Sequence, residues 1–262
     1  TGRAALLLLL AVLLEALVLL TAQSVNVILL LLLFRFFIMT IVVFCTSIPV
    51  KILKRIIVKY AGRKIQKYRN IIVIGITGSF GKTTVKEFVS HILSQKYRTL
   101  KTPGNTNTDI GVARFILKSD LKNVDVLVIE MGAYRIGEIQ KICKMVVPKI
   151  GILTSIAEQH LALFGSIENI QNAKYELLRA IPESGYVLTN ADNQYCADLL
   201  STLNCKNIET FGTDPEHKPN YLIKDVKASP EHIECEIFYA GSSLQFSAPV
   251  RGSHQALNIA PA

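Results

Sequence analysis

A strand-like run that opens into a glycine-rich turn constrains this chain more than any other feature. The run IIVIGITGSFGKTT at residues 71–84 begins with β-branched residues typical of a buried parallel strand and ends in Gly-Lys-Thr-Thr. Residues 85–94 continue with the spacing of a helix. A strand, a glycine-rich loop and a helix in this order form a cradle for phosphate groups, because backbone N–H groups at the helix start face the anion. We therefore predict a nucleoside triphosphate site.

The loop is a variant of the common G-x-x-x-x-G-K-[ST] pattern. Its glycines stand at Gly75, Gly78 and Gly81, and an isoleucine occupies the position of the pattern's first glycine. Lys82 is expected to supply a positive charge for the β- and γ-phosphates. The Thr83 hydroxyl is expected to ligate Mg²⁺.

Residues 1–50 are predicted to form two transmembrane helices. Residues 4–20 are almost continuously Leu, Ala and Val, and residues 25–50 are again apolar. Each run is long enough to cross a hydrocarbon core, which takes about 20 helical residues. Glu15 and Arg35 interrupt the two runs. They would pair with each other or with a partner helix, or Arg35 alone would reach toward the membrane surface.

A basic juxtamembrane linker is predicted at residues 51–70, which contain no acidic residue. Residues 1–70 carry ten of the 29 Lys and Arg and one of the 20 Asp and Glu, so 19 residues of each sign remain after residue 70. Positive flanks stay on the cytoplasmic side of a membrane and attract anionic headgroups. We therefore predict a cell-membrane location with the nucleotide-binding domain in the cytoplasm and membrane lipid as a partner. The balanced charge after residue 70 argues against a nucleic acid partner.

Residues 71–262 alternate strand-like and helix-like segments, which is the pattern of a parallel α/β sheet. Further strands are predicted at 97–102, 125–130, 149–154 and 186–189, and helices at 110–117, 136–146, 167–181 and 194–203. Residues 221–250 alternate apolar and polar residues around two turn signals, which predicts a small antiparallel sheet. The predicted fold class is α/β: a parallel phosphate-loop sheet flanked by helices, with a small antiparallel appendage, preceded by transmembrane helices.

Three side chains are expected near the phosphate loop, because doubly wound sheets bind ligands at the carboxyl ends of their strands. Glu130 ends a predicted strand, where it would coordinate Mg²⁺ or remain a solvated carboxylate. His160 follows the next strand as a site residue or a surface histidine. Lys174 falls within the apolar stripe of helix 167–181. Such a lysine has a paired or chemically altered amine, or it reaches out to solvent.

Eight ordered motifs give residues 71–262 a resemblance to the Mur ligases. They are GITGSFGKTT at 75–84, GNTNTDIG at 104–111, EMGA at 130–133, SIAEQHL at 155–161, FGS at 164–166, NAKYE at 172–176, NADN at 190–193 and GSHQALN at 252–258. Within that family the chain looks most like the members that add D-alanyl-D-alanine in peptidoglycan synthesis. The resemblance implies the central ATPase domain, with ATP and Mg²⁺ as cofactors. In that family ATP phosphorylates a peptide carboxylate, and an incoming amine then displaces phosphate.

The resemblance also implies roles for individual residues. The expected nucleotide-binding residues are Gly78, Ser79, Gly81, Lys82, Thr83, Thr84, Asn190 and His254, with Asn258 as a weaker candidate. The expected metal-site residues are Thr83, Glu130, His160 and Lys174, and the expected catalytic residues are Lys82, His160 and Lys174. Asn105 and Asn107 are expected near the substrate. Lys174 aligns with a lysine that is carbamylated in many Mur ligases, where the carbamate turns a buried cation into a metal-binding anion.

Two departures from the family pattern keep alternatives open. The apolar runs stand where Mur ligases carry the domain that grips a uridine nucleotide, and residues 1–262 do not include the family's C-terminal ligase domain. We therefore expect a fragment of a membrane-anchored ATP-dependent amide ligase that acts on a small-molecule or nucleotide-linked peptide. One alternative is a related ligase that adds glutamate to folate or another amino acid to another acceptor, although residues 106–111 favour the D-alanyl-D-alanine type. The other is a membrane-tethered nucleotide-binding module without ligase activity.

Overall fold

A single sheet organises the part of the chain that carries the phosphate loop. The computed structural model describes residues 9, 12, 13, 16, 17 and 25–262, and the chain divides into two compact units, Thr1–Ile56 and Ile57–Ala262. The helices are α1 Val25–Gln66, α2 Lys82–Ser94, α3 Asp109–Lys118, α4 Glu138–Val146, α5 Leu161–Phe164, α6 Ile167–Arg179, α7 Gln194–Ala197 and α8 Gln255–Ile259, with 3₁₀ turns at Leu200–Thr202 and Pro215–His217. The strands are β1 Ile72–Thr77, β2 Thr99–Lys101, β3 Val126–Glu130, β4 Ile150–Leu153, β5 Tyr186–Asn190, β6 Asn207–Gly212, β7 Tyr221–Ala228, β8 Ile233–Tyr239 and β9 Ser242–Ala248.

The strand order places the phosphate loop at the middle of the parallel region. Within the described residues the order is β2-β3-β1-β4-β5-β6-β7-β8-β9. All pairs from β2 to β7 are parallel, and β7 with β8 and β8 with β9 are antiparallel. This confirms the predicted parallel sheet with a small antiparallel appendage. Because β1 lies between β3 and β4, the loops that follow these three strands meet at one edge of the sheet.

The two faces of β1 pack against different helices, as the alternation of side chains along a strand requires. Ile74 and Ile76 are buried with Val85 and Val89 of α2 on one face. On the other face Gly75 lets α6 approach closely, because a Cβ at this position would lie 2.6 Å from Leu177 Cδ1. This packing fixes both α2 and α6 against the strand that leads into the phosphate loop.

The last part of α1 belongs to the same unit as the sheet. Ala61 and Ile65 are buried in its core. The Lys64 ammonium donates to the carbonyl oxygens of Leu117 and Ser119, at 2.8 and 2.6 Å, where α3 ends. Those carbonyls lack partners within the helix, so the lysine acts as a C-terminal cap.

The membrane prediction is wrong. Residues 25–66 form one helix that continues past residue 50, where the sequence prediction ended the second span. In the part of the chain that the structure describes, no helix has the length and apolar character needed to cross a membrane. The predicted cell-membrane location, the cytoplasmic side assigned to the nucleotide-binding domain and the lipid partner lose their basis with this finding. An apolar run shows that a segment avoids water and does not identify what covers it.

Parts of that prediction fall outside the described residues. The first apolar run, 4–20, is described only at positions 9, 12, 13, 16 and 17. Glu15 and the side chain of Arg35 also lie outside the described part of the structure.

Candidate nucleotide and metal site

The loop between β1 and α2 has the backbone of a phosphate cradle. Gly81 has a φ of 79°, in the left-handed region, and forms the N-cap of α2 without any side-chain cap hydrogen bond. The first N–H groups of α2 therefore remain available to an anion. Gly78 has a φ of 151°, and a Cβ there would lie 1.9 Å from Thr154 Oγ1. Only glycine fits at this position, because the loop after β4 lies directly against it.

Lys82 folds back over this loop. Its ammonium donates to the carbonyl oxygens of Gly78 at 2.8 Å and Ser79 at 3.1 Å. Burial lowers the pKa of Lys82, and the negative charge of Glu130 partly opposes that shift. The loop thus holds a cation beside its open N–H groups, which is the arrangement that a triphosphate requires. Thr84 is half-buried in the first turn of α2.

Glu130, at the carboxyl end of β3, is 1% exposed and collects three donors. Thr83 Oγ1 donates to Oε2 at 2.9 Å, Lys86 Nζ to Oε2 at 3.3 Å, and Asn107 Nδ2 to Oε1 at 3.0 Å. We call these four residues the Glu130 network. The carboxylate and the Thr83 hydroxyl are hard oxygen donors side by side, so they fit Mg²⁺. Mg²⁺ usually takes one or two protein ligands and completes its shell with water and phosphate.

A cluster of the usual metal-binding side chains is not found among the described residues of this site. Across the described residues, no group of three or more His, Cys, Asp or Glu side chains could hold a metal ion. His160, expected at a metal site, is exposed in the loop after β4 and has a left-handed φ of 61°. Its ring meets the edge of Tyr134, with centroids 5.1 Å apart. This contact brings the loops after β3 and β4 together.

Lys174 lies on the face of α6 that packs against the sheet. Its residue exposure is 5%, and within the described part of the chain its amine makes no ion pair with a carboxylate. Burial lowers its pKa to about 8, with a second contribution from the positive charge of Lys82. Lys174 therefore does not extend its side chain into solvent, which was one of the alternatives for a lysine in this stripe. Lys174 is a buried amine close enough to the phosphate loop for the two lysines to repel each other.

Ser79 and Asn190 are engaged in backbone contacts. The Ser79 hydroxyl donates to the Ala157 carbonyl at 3.2 Å and accepts from the Ala157 N–H at 3.0 Å. Asn190 is buried at the end of β5, where its side-chain oxygen accepts from the Asp192 N–H at 2.9 Å. The loop after β5 is tied to the loop after β4 by Asn193, which donates to the Ile156 carbonyl at 3.0 Å. The three loops form one connected surface at the strand ends.

The remaining expected residues take different positions around this surface. Asn107 belongs to the Glu130 network, whereas Asn105 is exposed. His254 is exposed and precedes α8. Asn258, the weaker candidate, lies against the phosphate loop, because a Cβ on Gly81 would lie 2.2 Å from its Oδ1. The structure therefore brings α8 to the start of α2 through Asn258.

Sequence reasoning missed Lys86. Its residue exposure is 0%, and its ammonium donates to the Gly104 carbonyl at 2.6 Å as well as to Glu130. A signal was present in the helix pattern, since Lys86 stands three residues before Val89 and seven before Leu93. Both spacings place Lys86 within the apolar stripe of α2.

Comparison with known proteins agrees with this geometry. Residues 76–262 match the family model described as Mur ligase middle domain. The chain is 33% identical over 186 residues to the UDP-N-acetylmuramoyl-tripeptide–D-alanyl-D-alanine ligase of Bacillus subtilis. The aligned region covers 71% of this chain and 39% of that protein. The enzyme of the same name from Escherichia coli is 34% identical over 191 residues, covering 71% of this chain and 41% of the relative.

Solved structures show the same relationship. MurF from Acinetobacter baumannii superposes with a TM-score of 0.73 at 28% identity, over 78% of this chain and 44% of that one. MurF from Thermotoga maritima in complex with ADP superposes with a TM-score of 0.71 at 31% identity, over 79% of this chain and 47% of that one. The chain spans about two fifths of the length of the sequence relatives named above. It belongs to the Mur ligase family, through the middle domain that residues 76–262 match.

Proposed function

We propose that this chain is the ATP-binding part of an ATP-dependent amide ligase of peptidoglycan precursor synthesis. In the proposed reaction an oxygen of a peptide carboxylate attacks the γ-phosphorus of ATP and ADP leaves. The nitrogen of an incoming amine then attacks the acyl carbon, loses a proton and displaces inorganic phosphate. The product is an amide bond, with ADP and phosphate as by-products.

The observation that carries this proposal is the junction of β1, α2 and β3. A glycine-rich loop with open helix N–H groups, a cation folded over it and a buried carboxylate beside a threonine hydroxyl meet there. Each of these groups suits one part of a magnesium triphosphate. Family membership supports the same ligand, since the Thermotoga maritima relative was solved in complex with ADP.

The proposed roles of the residues follow from their positions. Gly78, Gly81 and the first N–H groups of α2, including those of Thr83 and Thr84, would bind the phosphates. Lys82 would exchange its loop carbonyl partners for the β- and γ-phosphates and neutralise the charge that grows as ADP departs. Mg²⁺ would add positive charge to the same phosphates when bound by Thr83 and Glu130. Ser79 would hold the loop in shape through Ala157.

The other expected residues are proposed for the surroundings of this centre. Asn190 and His254 would contact the nucleoside, and Asn105 and Asn107 would lie beside the acceptor peptide. His160 and a carbamylated Lys174 would hold a second metal ion. The buried, lowered-pKa amine of Lys174 supports that modification, since CO₂ reacts with the neutral amine.

The relatives' names favour one acceptor among those that the sequence left open. Both sequence relatives described above are named for joining D-alanyl-D-alanine to a UDP-N-acetylmuramoyl tripeptide. We therefore propose a UDP-linked muramoyl peptide as acceptor and D-alanyl-D-alanine as the incoming amine. Both are small molecules, and no nucleic acid is involved.

Lys82→Ala tests the nucleotide site. A fluorescent ATP analogue titrated with Mg²⁺ should bind the variant about 100-fold more weakly than the wild type, which corresponds to about 2.7 kcal/mol of lost phosphate contact. The fold should be unchanged by circular dichroism, because the hydrogen bonds of the Lys82 ammonium go to the carbonyls of Gly78 and Ser79 in the loop, which it would leave for the ligand. Lys96→Ala, beyond the end of the same helix, is the control and should bind normally. Equal affinity in Lys82→Ala and the wild type would refute the assignment.

A further inference from the structure

The Glu130 network contains a lysine that the proposed reaction does not use. Lys86 is fully buried, and three groups surround its ammonium: the Gly104 carbonyl at 2.6 Å, Glu130 Oε2 at 3.3 Å and Glu87 Oε1 at 3.7 Å. The Glu87 side chain is half exposed, so solvent screens its charge. Lys86 and Glu130 are therefore the buried ion pair of this site, with side chains 0% and 2% exposed.

A buried ion pair is not explained by stability alone. Removing two charges from water costs several kcal/mol per ion, and the attraction between them often does no more than offset that cost. Such a pair is better explained by what it positions. Here one partner is the carboxylate proposed to hold Mg²⁺, and the other reaches the loop that follows β2.

Lys86 connects three separate segments. It projects from α2, contacts Glu130 at the end of β3 and holds the carbonyl of Gly104 at the start of the loop 104–107. The far end of that loop is held to the same places, because Asn107 donates to Glu130 and accepts, through its carbonyl, from the Gly132 N–H at 2.8 Å. The proposed acceptor residues Asn105 and Asn107 thus lie on a loop whose two ends are fastened to the metal-site carboxylate.

We propose that Lys86 is a positioning residue with two effects. Its charge balances Glu130 and so lowers the affinity of that carboxylate for a divalent cation that arrives without nucleotide. Its hydrogen bond to Gly104 holds the loop 104–107, which carries the proposed acceptor residues, against the metal site. Cation binding and the position of the loop are thereby connected through one ammonium group. This inference rests on the proposed function, because it takes Glu130 as a magnesium ligand.

Two substitutions separate the two effects. Lys86→Gln removes the charge and leaves an amide that can still donate to Gly104 and Glu130. Lys86→Met removes both the charge and the donor while keeping an unbranched side chain. Lys101→Met is the matched control, because Lys101 pairs with Glu87 on the exposed side of the same region.

Mn²⁺ binding measured by electron paramagnetic resonance tests the charge effect. Without nucleotide, Lys86→Gln and Lys86→Met should bind Mn²⁺ about tenfold more tightly than the wild type, since a positive charge a few ångströms from the cation has been removed. Lys101→Met should match the wild type. A lysine that merely supports the fold predicts the opposite sign, because its loss would disorder Glu130 and weaken binding. Unchanged or weaker Mn²⁺ binding in Lys86→Gln overturns the proposal.

Amide hydrogen exchange of residues 102–109 tests the loop effect and also shows whether each variant is folded. Exchange should rise about tenfold in Lys86→Met and stay near the wild-type rate in Lys86→Gln and Lys101→Met. Equal protection in Lys86→Met and the wild type overturns this half of the proposal. If Lys86→Met does not fold, the Lys86→Gln measurement still decides the charge effect. A wild type that shows no Mn²⁺ site even with ADP refutes the proposed function and this inference together, whereas a normal wild-type site with an unchanged Lys86→Gln refutes this inference alone.

Discussion

Lys174 shows how burial prepares one side chain for chemistry. An exposed lysine amine is protonated at neutral pH, but burial and the nearby charge of Lys82 bring the pKa of Lys174 down to about 8. The neutral amine therefore becomes accessible close to physiological pH. Helix periodicity alone placed this residue on the inner face of α6, and the structure shows that it is buried there near Lys82.

Carbamylation of Lys174 is expected to depend on pH in a defined direction. Because CO₂ reacts only with the neutral amine, carbamate should form readily above about pH 8 and decline roughly tenfold for each unit below it. Carbon-13 NMR with labelled bicarbonate should show a carbonyl signal near pH 9 in the wild type that Lys174→Arg lacks. The N-terminal amine contributes equally to both spectra. Identical spectra would show that Lys174 is not modified.

The same burial has a consequence for stability. In bicarbonate-free buffer, Lys174→Met should raise the free energy of unfolding at pH 7 by up to about 3 kcal/mol, the equivalent of a pKa lowered from 10.5 to about 8. Below pH 8 Lys174 is protonated in both the folded and the unfolded wild type, so the full cost of burying its charge is present. It shrinks as pH rises from 8 to 10.5, where only the unfolded chain holds the proton. Urea unfolding at several pH values should show the two proteins converging over that range. A constant difference would contradict this origin.

At the scale of elements, the start of α2 lies against Asn258 of α8. Gly81 and Gly137 are both N-cap glycines with left-handed φ, at 79° and 92°, but only Gly81 has a neighbour in the way of a Cβ, Asn258. Gly81→Ala should therefore cost about 1 kcal/mol more than Gly137→Ala in urea unfolding, beyond the backbone strain that the two share. Adding Asn258→Ala should recover that excess. Equal losses of unfolding free energy in Gly81→Ala and Gly137→Ala would mean that Asn258 moves aside without a measurable cost.

The elements of the parallel region were predictable because their signals are local. Residues 110–117 and 167–181 read as helices and appear as α3 and α6, and 125–130 reads as a strand and appears as β3. Strand β6 was not predicted. Its Asn, Glu and Thr residues resemble a loop, and only pairing with β5 on one side and β7 on the other makes it a strand. The partners of Lys86 were not predictable for a similar reason, since they come from β3 and the loop after β2, far away along the sequence, although its helix spacing was a local signal of burial.

At the scale of the whole molecule, ligand binding should be visible as stability. A ligand at 100 times its Kd stabilises a protein by about 2.7 kcal/mol, which for a unit of this size raises Tm by roughly 5 to 10 °C. We expect ADP with Mg²⁺ to produce such a shift, and EDTA to reduce it because Thr83 and Glu130 would lose the shared cation. Glu130→Gln should show a smaller effect of EDTA than the wild type does. An equal shift with and without EDTA would contradict a metal at this carboxylate.

The strand order also implies a sequence of events during folding. The strands β7, β8 and β9 are neighbours along the chain, so they can pair by closing short turns. By contrast, β1 must pair with β3 and β4, whose partner residues Val126 and Ile150 are distant from Ile72 and Ile74. Long loops close slowly, so we expect the hairpins to form early and β1 to be enclosed late. We expect the phosphate loop to gain its shape only when β1 has both neighbours, because Gly78 and Ser79 lie against the loop after β4. Recovery of nucleotide binding during refolding would therefore time the last steps of assembly.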